Sequence, residues 1–277
     1  DQTTLAGNTP TIGTGLWTLI VGSGTIVSPT SPTTSVTGLA LGVNLFQWTI
    51  SNGSCPPTVD TVEIFVSPLP TFPNAGPDQA LCNVLNSVFA ANTPLIGNGL
   101  WTLVAGTGMI TTPNSETSTV TGLSLGLNSF EWSIGIGNCT YYDTMNIVVY
   151  LPPSASNAGM DQTICFDSTD FTGNTPALGN GIWTLIAGTG TIQNPSSPIS
   201  TVTGLSVGVN SFTWTITNGP CTPSIDTVDI IGLPPTTVAN AGSDQFLCSV
   251  NNSVFAGNTP IVVTGVWSLI SGTGEII

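Results

Sequence analysis

The chain has 277 residues with no lysine, no arginine and no histidine, and its fourteen carboxylates give a formal charge of −14. A chain without cations has nothing with which to hold phosphate, so nucleic acid and anionic membrane surfaces are excluded as partners. No side-chain salt bridge can form, and no run of 18 apolar residues is present to insert into a membrane.

The elements recur at a fixed interval. A tryptophan in "GLW", "GLW", "GIW" and "GVW" falls at 17, 101, 183 and 267, and a second one in "FQWTI", "FEWSI" and "FTWTI" at 48, 132 and 214. Steps of 82 to 84 residues mean a tandem array rather than one large domain. Residues 1–68 read as a first copy shortened at its start, 74–152 and 157–234 as complete copies, and 241–277 as part of a fourth. The segment therefore reads as a piece of a longer polypeptide.

The second copy shows the pattern best. "SVFAANTP" (87–94) reads as a short strand ending in a turn, and "GLWTLVAGTGMI" (99–110) as β-structure folded at Gly106 and Gly108 into a hairpin turn. "TSTVTGL" (117–123) is β-branched, and "SLGLN" (124–128) is turn chemistry. "SFEWSI" (129–134) alternates, with Phe130, Trp132 and Ile134 on one face. "DTMNIVVYL" (143–151) does the same with Met145, Ile147 and Val149. Short alternating runs punctuated by Gly, Pro and Asn, with no helical periodicity, predict an all-β fold of sandwich domains. The stretches "SPLPTFPNAG" (67–76), "LPPSASNAG" (151–159) and "LPPTTVANAG" (233–242) carry two or three prolines each. They read as extended, semi-rigid spacers, which predicts a rod-like array.

One nine-residue phrase opens the copies: "NAGPDQALC" (74–82), "NAGMDQTIC" (157–165) and "NAGSDQFLC" (240–248). With an aromatic middle strand and a closing "DTVEIFV", it resembles PKD-type, immunoglobulin-like domains. The fuller pattern, with "GNTP", "TxVTGLxxGxNxFxWxI" and "NGxC", is similar to tandem repeats of large surface proteins of gliding, type IX-secreting Bacteroidota. The resemblance spans the chain. It implies secretion to the cell surface and a role in adhesion or filament building.

Six cysteines alternate between the "DQxxC" position (Cys82, Cys165, Cys248) and an "NGxC"-like position (Cys55, Cys139, Cys221). One regular pairing joins Cys55–Cys82, Cys139–Cys165 and Cys221–Cys248 across the spacers. The other stays within copies. In an immunoglobulin-like sandwich the first strand starts at the same pole as the loop before the last strand. The expected bonds are therefore Cys82–Cys139 and Cys165–Cys221, with Cys55 and Cys248 unpaired within the segment. Zinc is disfavoured because its ligand spacings are absent. Stable disulfides imply an oxidising, extracellular compartment.

Catalysis lacks its usual groups. Without histidine or lysine no Ser–His–Asp or Cys–His arrangement can exist in the chain. The nearest carboxylate pairs, Asp167/Asp170 and Asp226/Asp229, each occur in one copy only. They read as solvated surface charges. No catalytic residue and no cofactor is expected. Calcium is the one candidate ion, through the recurring Asp78, Asp161 and Asp244, although one such Asp per junction more simply stabilises a turn. The tryptophans read as core rather than as sugar platforms. The Asp-Ser/Thr-apolar triplets resemble Bacteroidota O-glycosylation sites and mark Thr61, Thr144, Thr227 and Ser168.

The reading that results is a non-catalytic stalk of a secreted adhesin or filament, holding a binding tip away from the cell. Its partners would be neighbouring repeats and, by lateral self-association, other copies. Surface glycans or other cells would be met through regions outside the segment. The alternative is a spacer or carbohydrate-contacting module of a large secreted hydrolase.

Overall fold

The computed structural model describes residues 2–277, so the first residue of the 1–68 copy lies outside it. The chain divides into two compact units, Asp1–Val149 and Tyr150–Ile277. The first copy holds β1 (Gln2–Ala6), β2 (Thr14–Val21), β3 (Thr25–Ile26), β4 (Thr33–Thr37), β5 (Gly42–Ser51) and β6 (Thr58–Val66). The second holds β7 (Gln79–Cys82), β8 (Asn86–Val88), β9 (Asn98–Ala105), β10 (Met109–Ile110), β11 (Thr119–Thr121), β12 (Gly126–Ile136) and β13 (Cys139–Tyr150). The third holds β14 (Gln162–Ile164), β15 (Ser168–Asp170), β16 (Asn180–Ala187), β17 (Thr191–Ile192), β18 (Thr201–Thr203), β19 (Gly208–Thr217) and β20 (Ser224–Gly232). There is no helix among the described residues.

In the second copy a four-stranded sheet, β7-β13-β12-β9, packs on a three-stranded one, β10-β11-β8. The third copy repeats this as β14-β20-β19-β16 and β15-β18-β17. The chain is thus a tandem array of immunoglobulin-like β-sandwiches. Alternation sets the core. Phe130, Trp132 and Ile134 of β12 and Met145, Ile147 and Val149 of β13 face inward as their period-2 spacing predicts. They meet Phe89 and Val120 from the opposite sheet.

The paired tryptophans sit directly across β9 and β12 from each other, with ring centroids 5.1 Å apart. Trp183 and Trp214 repeat the pairing at 5.0 Å. The glycine of each "GLW" or "GIW" makes room for the second ring. A Cβ on Gly15, Gly99 or Gly181 would stand 2.1–2.2 Å from Trp48, Trp132 or Trp214 respectively. These glycines are needed for close approach, not for a turn.

Gly106 and Gly108 do not form the expected hairpin turn. β9 and β10 belong to different sheets, so the chain crosses from one to the other there. Gly106 crosses at φ +79°, against the side-chain oxygen of Asn128. The crossing occurs because the core-facing Trp101 and Ile110 must reach the same interior from opposite layers.

The two incomplete copies show what each strand contributes. Among the described residues the first copy has no counterpart of β7 or β14, and its sheet is β2-β5-β6. Val62 of β6 is 37% exposed, whereas its counterparts Met145 and Val228 are 0% and 1% exposed. Residues 233–277 form no strand, and Trp267 is 42% exposed. That stretch contains the counterpart of Trp101 but not of Trp132. It keeps only local contacts, such as Phe255 stacked on Trp267 with centroids 4.7 Å apart.

Candidate functional site

The opening phrase is a latch built from asparagine and aspartate. The backbone N–H of Asn74 donates to Asn92 Oδ1 of "ANTP", and Asn92 Nδ2 donates back to the Phe72 carbonyl. Asn157 with Asn174, and Asn240 with Asn258, repeat the bond. The next amide, that of Ala75, donates to Asp143 Oδ2 at 2.8 Å, and Ala158 does the same to Asp226. Asp78 Oδ1 then accepts from Asn146 N, and Asp161 Oδ1 from Asp229 N. The first strand is thereby laid along the last, residue by residue.

These bonds assign the recurring aspartates. Asp78 and Asp161 tie the first strand to the last, and Asp143 and Asp226 hold the "NAG" backbone. Asp244 is exposed in the strand-free stretch. Among the described residues no three His, Cys, Asp or Glu side chains cluster as metal ligands would. Asp226 and Asp229 are three apart on one strand and point to opposite faces. Asp229 accepts from Ser211 Oγ, and Asp170 accepts from Thr201 Oγ1. An open groove in the third copy is lined by Asn157, Asp161, Gln162, Asp170, Thr172 and Asn174. Its two carboxylates are already engaged.

The stretches read as spacers are partly built into the copy that follows. Thr71 N donates to the Ile96 carbonyl, and its Oγ1 accepts from Leu95 N and Ile96 N. Phe72 stacks on Tyr141 at 4.7 Å. Ser154 and Ser156 make equivalent bonds to Leu178 and to Ser224 Oγ. Free polyproline-like chain is therefore confined to fewer residues than the proline content predicts.

Sequence reasoning passed over the most heavily bonded side chain. Asn128, read as part of a turn, is fully buried. Its Oδ1 accepts from Thr107 N, Ser124 N and Ser124 Oγ, and its Nδ2 donates to the carbonyls of Ser124, Gly126 and Ile147. Asn44 and Asn210 make the corresponding network in their copies. The signal was present: an asparagine stands two residues before the aromatic of every "NLFQW", "NSFEW" and "NSFTW".

The cysteines require a correction. Cys82 and Cys221 are disulfide-bonded, while Cys139 and Cys165 are free thiols, as are Cys55 and Cys248. Neither Cys82–Cys139 nor Cys165–Cys221 forms, and neither does any of the three bonds across the spacers. The premise about the poles holds for the start of the first strand, but the cysteine sits at that strand's far end. β14 runs parallel to β20, with Ile164 level with Gly232, whereas Cys221 precedes β20 altogether.

Of the marked hydroxyls, Thr61, Thr144 and Thr227 are exposed on β6, β13 and β20, and Ser168 is half-buried on β15. The six tryptophans of the folded copies are no more than 4% exposed and form no aromatic platform.

No family model and no curated protein matches the chain. Solved structures do. The chain is similar to titin domains A168–A170 at 11% identity, over 84% of this chain and 99% of that one, with a TM-score of 0.43. It is similar to extracellular domains 3–5 of Drosophila OTK at 8% identity, over 84% and 91%, with a TM-score of 0.42. The PKD domain of the KIAA 1837 protein matches at 26% identity over 33% of this chain and 92% of that one, with a TM-score of 0.26.

Proposed function

We propose that this array is a non-catalytic stalk in a secreted or cell-surface repeat adhesin or filament of the type IX-secreted, Bacteroidota kind. The observation that carries the reading is where the reactive side chains are spent. The recurring carboxylates of the folded copies hold backbone amides, and the tryptophans fill the core. What remains is the same mechanical unit repeated in sequence. The hydrolase-module alternative would need exposed rings for sugar stacking, and the folded copies bury theirs. Exposed Thr61, Thr144 and Thr227, with half-buried Ser168, would carry O-glycans on the outer face. Glycopeptide mapping of protein from its native host tests that reading, and bare peptides at all four sites would end it.

The stalk reading is tested by pulling the reduced chain at constant velocity. Each complete repeat of about 83 residues should lengthen the chain by roughly 25 nm, at about 3.5 Å per residue less the folded length. Two equal steps at appreciable force support load bearing. Gradual extension without steps would overturn it.

A further inference from the structure

The first strand and the last strand of a copy keep a constant offset of 68 residues. It holds for Ala75 with Asp143, Asp78 with Asn146, Ser156 with Ser224, Ala158 with Asp226 and Asp161 with Asp229. It continues through the parallel ladder from Gln162–Ile230 to Ile164–Gly232. One residue further, Cys165 stands beyond the C-terminal end of β20. Cys221 stands before its N-terminal end. The nine residues of β20 between them span about 30 Å, and a disulfide needs Cα atoms within about 7 Å. The two cysteines of a copy are therefore held at opposite ends.

Each end is also where the chain enters or leaves. Asn218 Nδ2 donates to the carbonyl oxygen of Leu151, and the Cys221 Sγ lies 3.3 Å from the same oxygen, so the "NGxC" turn sits on the incoming segment. In the second copy the corresponding turn places Gly137 against Ser67 of its own incoming segment. At the other end the Ile164 carbonyl accepts from Leu233 N, the first residue of the outgoing segment. The "DQxxC" cysteine thus stands beside the exit, and the "NGxC" cysteine beside the entrance. Both types of position take part in disulfides, because Cys82 is of the "DQxxC" type and Cys221 of the "NGxC" type.

We propose that Cys165 is the exit half of a disulfide whose entrance half is the "NGxC"-type cysteine of the repeat that follows it in the same polypeptide. The spacer that follows β20 is then bridged covalently from domain to domain, whatever load the array bears. Forming each bond removes two protons and two electrons from two thiols. A small-molecule disulfide such as oxidised glutathione accepts them and leaves as two thiols.

The test extends the chain at residue 277 with a second copy of residues 194–232. This supplies the rest of the fourth repeat, including a counterpart of Cys221. After oxidation in a glutathione buffer, free thiols are alkylated and unreduced peptides are mapped. The expected product is a monomer in which Cys165 is linked to the added cysteine. In the Cys165→Ser variant the added cysteine is alkylated instead. Bonding of the added cysteine to Cys248, or a bond to Cys165 only between two copies, overturns the proposal. The 277-residue chain, oxidised in parallel, gives a readout that does not depend on the extension folding. There, Cys139 and Cys165 should be recovered alkylated, and a Cys165–Cys221 or Cys82–Cys139 peptide overturns the proposal.

Discussion

Asn128 shows how much one side chain can organise. It satisfies the crossing after β9, the turn before β12 and the backbone of β13 in the dry interior. Truncating it leaves several buried backbone groups without partners, each of which is costly. Asn128→Ala should destabilise the second repeat by about 3 kcal/mol, read as an earlier urea transition for that repeat with the others unmoved. Asn128→Asp keeps the shape but cannot donate to three carbonyls, and should not rescue. Gly99 tests the same core from the other side. A methyl there collides with the Trp132 indole, which has backbone strands around it and little room to retreat. Gly99→Ala should cost about 2 kcal/mol by overpacking and shift the near-ultraviolet circular dichroism of the tryptophan pair.

Among elements, the first strand decides whether the last strand is covered. The comparison is internal to the chain, because β6 lacks that cover and exposes Val62 where β13 and β20 bury Met145 and Val228. The carboxylate of Asp143 is one of its fastenings. Asp143→Ala should cost about 1–2 kcal/mol, since it removes a bond from an amide to a charged acceptor. Hydrogen exchange should then quicken at Ala75 and along β7 while β9 and β12 stay protected. Equal protection everywhere would mean that the strand is held by its apolar contacts alone.

Across the molecule, every formal side-chain charge has the same sign, so no attraction offsets their repulsion. Added salt screens that repulsion, and the melting temperature should rise as sodium chloride goes from about 10 mM to about 500 mM. A protein stabilised by ion pairs would show the opposite trend. The unequal completeness of the copies has its own signature. Acrylamide should quench Trp267 strongly and the other six tryptophans weakly, giving a downward-curving Stern–Volmer plot with about one seventh of the emission accessible.

The sequence by itself determined the repeat, the all-β class and the inward faces of β12 and β13. All three follow from local periodicity, which the chain writes plainly in Trp, Phe and β-branched residues. Among the aspartates it marked as recurrent are Asp78 and Asp161, without telling what each one holds. Their partners are backbone amides up to 68 residues away, and amides carry no signature in a sequence. Only the tertiary structure decided that the first strand runs parallel to the last. That direction sends Cys165 and Cys221 to opposite ends of the domain, although the poles where the strands begin are shared. Tertiary structure also turned "GTG" from a hairpin into a crossing between sheets, because the choice of sheet depends on which layer buries Trp101 and which buries Val120. Periodicity fixes the face a residue presents. Strand direction and layer are set by contacts distant in sequence.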